Sequence, residues 1–162
     1  MGNPIDNWRN WLNENADRFL LFARQQTRRE WDAEDVLQNS LVETWRKAGS
    51  SAPTAALVFA TIRRRAIDLG RSDSSRARRE EATRPEIPWL EPDHDAEEES
   101  RLLQSAIAEL RFELAEVVTL KVGGGLTFRE IAETLEIPQN TAASRYRYAL
   151  GELRKHLKTV LQ

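Results

Sequence analysis

The chain has 162 residues, of which 40% are hydrophobic and 31% charged, with a formal net charge of −2 and no cysteine. That length suits one domain or two small ones, and the lack of thiols excludes a disulfide framework and any thiolate metal site. No apolar run approaches the roughly 20 residues that a membrane-spanning helix needs, and no signal peptide is visible, so neither membrane insertion nor export is expected and the expected location is the cytoplasm.

The negative total is unevenly spread. Residues 1–84 hold 15 Lys/Arg against 12 Asp/Glu, and 101–162 hold 9 against 7, whereas 85–100 hold none against 7. Two mildly basic segments are therefore separated by a short acidic one, and the average hides surfaces of the sign that nucleic acid attracts.

In chain order, residues 4–26 read as a first helix whose apolar face is Ile5, Trp8, Leu12, Phe19, Leu20 and Ala23, widened by Trp11 and Phe22. After the polar break Arg28-Arg29-Glu30, Asp32 is a candidate N-cap for a second helix reaching about Lys47. Val36, Leu37, Leu41, Thr44 and Trp45 give that helix its core stripe, which leaves Asp35, Gln38, Asn39 and Val42 outside as a polar strip with one aliphatic residue in it. A loop at Gly49-Ser50-Ser51-Ala52-Pro53 leads into a third helix from Thr54, with Ala55, Val58, Phe59, Ile62, Ala66 and Leu69 inward. Arg63, Arg64, Arg65 and Asp68 face out, and Arg71, Arg76, Arg78 and Arg79 follow. Such a cluster binds phosphates by displacing condensed counterions, although it also serves simply to solvate a helix end.

Residues 85–100, with three prolines and seven acids, cannot build a core and read as an acidic, flexible linker between domains at 1–84 and 101–162. Helical pattern returns over Leu102, Leu103, Ile107, Leu110, Leu114, Val117, Val118 and Leu120, and stops at Gly123-Gly124-Gly125. The three glycines follow no strand and precede no lysine in P-loop register, so they read as a turn.

From Leu126 to Leu157 the pattern is a short helix, a tight turn and a longer helix. Phe128, Ile131, Ala132 and Leu135 share one face of the short helix, where Thr127 and Glu130 form a capping box. The turn is Glu136-Ile137-Pro138, and the next helix is expected to begin after Asn140 or Thr141. Ala142, Tyr146, Ala149, Leu150, Leu153 and Leu157 make its buried stripe, leaving Ala143, Ser144, Arg147, Tyr148 and Arg154 outward. This is the helix-turn-helix layout, whose second helix reads a major groove. The fold class is therefore all-α, in two small helical domains.

Three segments, AEDVLQNSLVETWR (33–46), IRRRAIDLGR (62–71) and LTFREIAETLEIPQNTAASRYRYAL (126–150), together resemble bacterial RNA polymerase sigma factors of the sigma-70 superfamily, extracytoplasmic-function (ECF) type. In that family a region-two bundle and a region-four helix-turn-helix are joined by a linker. The resemblance implies that Asp35, Gln38 and Asn39 grip the clamp helices of the largest subunit of core RNA polymerase, Asn39 standing where a glutamate is usual. It implies that Arg63, Arg64, Arg65 and Arg71 belong to the segment that opens and reads the minus-ten promoter element, Arg64 replacing the usual asparagine. It further implies minus-thirty-five contacts by Lys121, Pro138, Thr141, Ser144, Arg145, Arg147 and Tyr148, with Ala143 where a basic residue is common and Glu136 at a turn position often held by glycine. The implied partners are core polymerase, promoter DNA and an anti-sigma factor.

Two rival readings follow from the residues. A stand-alone helix-turn-helix regulator accounts for residues 101–162 but leaves Asp35, Gln38 and the arginine helix idle. An enzyme needs a nucleophile with a base or a ligand set, and the two histidines supply neither: His94 lies in the acidic linker and His156 near a helix end. No cofactor or metal is expected.

Overall fold

A computed structural model of the protein describes residues 4–49, 51–80 and 98–161, and among them every regular element is helical. The chain divides into two compact units, Met1–Ile87 and Pro88–Gln162. Residues 81–97, which include most of the expected linker and His94, lie outside the described residues. The last three residues of that expected linker, 98–100, instead open a helix.

Unit 1 is a bundle of α1 (Pro4–Gln26), α2 (Glu30–Ala48) and α3 (Ala55–Glu80), each packed on the other two. Its centre is aromatic. Phe59 of α3 meets Phe19 and Phe22 of α1 edge to face, with ring centroids 5.0 and 5.3 Å apart, and all three are fully buried. Edge-to-face contact sets the positive rim of one ring against the negative face of another, so it adds to what burial alone contributes. Phe22 therefore belongs to the centre of the core rather than its margin. Trp8 closes one side against Trp45 at 5.2 Å. On α2 the residues that go fully inside are small or hydroxylated, Ala33, Ser40 and Thr44, with Val36, while Leu37, Leu41 and Trp45 are only half-buried. The Thr44 hydroxyl donates to the Ser40 carbonyl at 2.8 Å, which satisfies it without leaving its own helix.

The α1–α2 corner departs from expectation. The second helix starts at Glu30, with Arg29 as an N-cap that makes no side-chain hydrogen bond, so Asp32 sits within the first turn instead of capping it. The cause is a fork from Arg24, whose Nε donates to both Glu30 carboxylate oxygens at 2.9 and 3.0 Å while a terminal nitrogen reaches Oε1 at 2.6 Å. That contact draws Glu30 into the helix, and both acids then lie where the helix dipole favours negative charge. At the other end Gly49 adopts φ 71° and closes α2 through its N–H to the Trp45 carbonyl. Thr54 caps α3 by accepting from the Leu57 amide at 3.2 Å.

Unit 2 is built on α7 (Gln139–Leu161), which packs against α4 (Glu98–Ala108), α5 (Phe112–Val118) and α6 (Phe128–Leu135). Ala106, Ile107, Leu114, Ala115, Val118, Ala149 and Leu153 form its core, flanked by Leu110, Tyr146, Leu150 and Leu157. The helical pattern of Leu102–Leu120 is broken at residues 109–111, where neither proline nor glycine stands. The Leu110 amide bonds back only to Ile107 at 3.1 Å, which swings Leu110 against the core, and Arg111 O then opens α5 by accepting from Leu114 and Ala115. The break thus comes from tertiary packing. It leaves Leu103, expected inside, 38% exposed. After α5 the chain widens into a π-helical turn over Thr119–Gly123, closed by Gly124 N–H donating to Thr119 O at 3.0 Å, and Gly125 turns the chain at φ 67°. The three glycines are therefore a turn, as their sequence context indicates.

Removing Phe59 takes away the ring that both α1 phenylalanines contact. Phe59→Ala is expected to lower the stability of unit 1 by about 3–5 kcal/mol, the usual range for an aromatic truncated in a core. Urea unfolding followed by tryptophan fluorescence measures it, since Trp8, Trp11, Trp31 and Trp45 all lie in this unit.

Candidate nucleic-acid and protein interfaces

With Ala33, Val36, Ser40 and Thr44 turned inward, α2 exposes Asp35, Gln38 and Asn39 together, and Val42 among them is 50% exposed. The structure thus brings the three expected polymerase-contact residues onto one helix face. One turn earlier the same face carries Trp31, 64% exposed, with the Arg29 guanidinium 5.4 Å from its ring centroid. Sequence reading missed Trp31, although its i, i+4, i+7, i+11 spacing with Asp35, Gln38 and Val42 was available. Tryptophan is enriched at protein interfaces because it buries a large rigid surface.

The arginines of α3 are not equivalent. Arg64 is exposed, Arg63 and Arg65 are half-buried, and Arg71 belongs to α3 with a side chain outside the described residues. Arg64 and Arg65 both reach Glu43 on α2, Arg64 at Oε2 and Arg65 at Oε1, the latter at 3.2 Å. Burial pushes the Glu43 carboxyl upward in pKa, but the hydrogen bond from Arg64 and the charges of Arg64, Arg65 and Lys47 outweigh it, so the group is held below its ordinary value of 4.5. Glu43 carried no signal in sequence, because its partners stand 21 and 22 residues away.

In unit 2 the capping box forms as expected. Thr127 Oγ1 accepts from the Glu130 amide at 3.1 Å and Glu130 Oε1 accepts from the Thr127 amide at 3.0 Å. The turn after α6 places Glu136 at φ 56° and ψ 46°, the left-handed conformation in which glycine is usual, and the next amide, Ile137, donates to Ala132 O at 3.0 Å. The second helix begins at Gln139, earlier than Asn140 or Thr141 caps would start it. Pro138 supplies the reason: its fixed φ suits a helix start, and its carbonyl accepts the first intrahelical bond from Ala142 at 3.1 Å.

The outward face of α7 presents Ser144, Arg147 and Tyr148, the last 56% exposed, with Arg147 3.5 Å from the Ser144 hydroxyl. Pro138 is exposed at the head of the helix, while Thr141 and Arg145 are half-buried beside it. Ala142, fully buried, and the Phe128–Tyr146 ring pair at 5.6 Å set α6 against α7. Lys121 stands apart from this face in its bonding: Nζ donates to Leu126 O at 3.2 Å and lies 4.5 Å from the Phe128 ring centroid. It braces the turn that leads into α6.

Such a pair of helices, capped, sharply turned and presenting a basic and aromatic second helix, is a helix-turn-helix, and residues 100–153 match the family model for sigma-70, region 4. Residues 100–153 are therefore a sigma-70 region 4 domain. This domain lies wholly in unit 2. The fold of the whole chain is similar to that of the sigma factor RpoE from Bartonella quintana, solved in complex with the anti-sigma factor NepR, at a TM-score of 0.71, 19% identity and coverage of 93% of this chain and 96% of that one. No curated protein matches the chain. Among the described residues no helix is long and apolar enough to cross a membrane, and no group of His, Asp or Glu could hold a metal ion.

Two outcomes follow from this geometry. A left-handed L-residue costs about 1–2 kcal/mol and glycine gives back about 0.5–1 kcal/mol in unfolded-state entropy, so Glu136→Gly is expected to stabilise region 4 by up to about 1 kcal/mol, read as a raised thermal midpoint. Because the folded-state pKa of Glu43 is depressed, its ion pairs contribute fully above pH 4.5 and are lost as pH falls through the lowered value. The contribution is at most about 1 kcal/mol for pairs this exposed. Glu43→Gln should flatten that acid limb, measured as urea midpoints against pH.

Proposed function

We propose that this chain is a sigma factor of the ECF type, that it binds core RNA polymerase through the outer face of α2, and that it directs the enzyme to promoters whose minus-ten element is opened and read by unit 1 and whose minus-thirty-five element is bound by region 4. The observation that carries the reading is the α2 face itself: Asp35, Gln38 and Asn39 exposed around a half-exposed Val42, in the same chain as a region 4 domain. A valine in a polar strip is what a helix-on-helix contact needs at its centre. A regulator that acts without polymerase has no use for it.

Within region 4, Arg147, Ser144 and Tyr148 are the side chains suited to base edges, with Thr141, Arg145 and the Pro138 helix head suited to phosphates, where the first turn of α7 also offers unpaired amides. Lys121 serves this surface by bracing its approach loop, besides any phosphate contact of its own. In unit 1, Arg63, Arg64, Arg65 and Arg71 supply the positive face for an unwound strand, whose affinity comes from backbone neutralisation. The protein works without catalytic groups or cofactors; the polymerase supplies the chemistry and this chain selects where it begins. Its proposed place of action is the cytoplasm. An anti-sigma factor is proposed as a further partner, because the structurally similar RpoE was solved with one.

Run-off transcription with core enzyme on genomic fragments tests the reading: defined start points are expected with the factor and none without it. Val42→Asp should abolish association with core while the circular dichroism spectrum is unchanged. Arg147→Ala should weaken binding to a recovered promoter by about 1–3 kcal/mol if the guanidinium reads a base, with relaxed preference at one position. Failure to bind core, with operator-like DNA binding retained, would favour the stand-alone regulator.

A further inference from the structure

The arginine face of unit 1 carries its own anion. Glu43 projects from α2 between two guanidiniums of α3, and the two are held differently. The Arg65 side chain is 35% exposed, with an Nε that is buried and lacks an acceptor, so packing keeps it in place. The Arg64 side chain is 51% exposed, and its visible anchor is Glu43. A strand arriving at this face therefore meets, at the more exposed of these two arginines, a cation that already has an oxyanion.

We infer that Glu43 is a built-in competitor of nucleic-acid phosphate: it holds Arg64 down on α2 in the free protein and yields Arg64 to a strand phosphate, while Arg65 stays behind to neutralise it. The inference rests on the reading of α3 as a surface for an unwound promoter strand. The exchange is chemically balanced, one oxyanion replacing another on the same guanidinium, with Glu43 never left buried and unpaired. It is also accessible, because an ion pair this exposed to water is weak and screened by salt. The phosphate gains a charge-assisted, forked partner and releases counterions in return. Since Arg64 must first be taken from Glu43, contacts that bring only phosphate charge are discounted. The cost is the same for every strand, so Glu43 lowers affinity for bare phosphate charge and leaves discrimination between strands to base contacts.

The test uses the full chain, its Glu43→Gln and Arg64→Ala variants and the double variant, titrated against a labelled single-stranded DNA oligonucleotide across a salt series by fluorescence anisotropy. Glu43→Gln is expected to bind roughly fourfold tighter at physiological salt with little change in the log–log salt slope, because Arg64 reaches the same phosphate in both proteins, whereas Arg64→Ala should make the slope shallower by about 0.7, the share of one phosphate contact on a single strand. In the Arg64→Ala background the same substitution should gain nothing. Unchanged or weaker binding by Glu43→Gln, or a gain that persists without Arg64, overturns the inference. A combined Arg63→Ala, Arg64→Ala, Arg65→Ala chain separates the two layers. If it binds as the parent does, or if neither binds, the reading of α3 fails. If it binds more weakly while Glu43→Gln gives no gain, only the role of Glu43 falls.

Discussion

Close approach of helices at small residues is the constraint on which both units depend. Ala33 and Ser40 on α2, and Ala142 and Ala149 on α7, are all completely buried, so each of these helices lies tight against its neighbours along one narrow stripe. A helix seated this way needs little of its circumference for packing. The opposite face is released for polar and aromatic residues that no core requires, namely Asp35, Gln38, Asn39 and Val42 on α2 and Ser144, Arg147 and Tyr148 on α7. A larger residue at Ala142 would push α7 away from α6 and carry the exposed face with it. The position of the contact surface is thus set from inside, by what is absent from four side chains.

Electrostatics then sorts residues that composition treats alike. Arg24 and Lys121 are tied into forks and carbonyls that shape a corner or a turn, and Arg64 and Arg65 are tied to Glu43. Ser144 and Arg147, by contrast, bond only within one turn of α7 and keep the guanidinium exposed. A count of basic residues overstates the charge offered to a phosphate, because several cations already have partners within the fold. Net charge by segment identified which parts of the chain are basic, but the geometry decides which basic groups are available.

Much of the architecture was legible because it is local. The capping box of Thr127 and Glu130, the buried stripe of α7, the glycine stop after α5 and the strained place of Glu136 each depend on residues within a few positions of one another, and each is found. What was misread depends on distance or on competing local signals. Asp32 is a better capping residue than Arg29, yet Arg24 reaches across the corner to Glu30 and moves the helix start. Asn140 and Thr141 are good caps, yet Pro138 pre-forms the first turn ahead of them. The break at 109–111 has no breaker residue at all and exists because Leu110 packs inward. In the candidate sites the same rule holds: the faces were readable from periodicity, whereas Glu43 was not, since its role arises only when α2 and α3 cross.

That difference bears on how so small a surface can both take up and release phosphate. Glu116 is the one charged side chain buried among the described residues, and the other charges lie at or near the surface, where their pairs remain exchangeable. A pair such as Glu43 and Arg64 is weak enough to be displaced by a phosphate and close enough to re-form when the phosphate leaves. The strained turn at Glu136 sits directly before the helix that presents Arg147, and Lys121 braces the entry to the same motif. Rigid placement of the backbone with exchangeable charge on its surface lets contacts be made without reorganising either core. The energy of any recognition then lies in the contacts themselves, which is where discrimination between sequences has to arise.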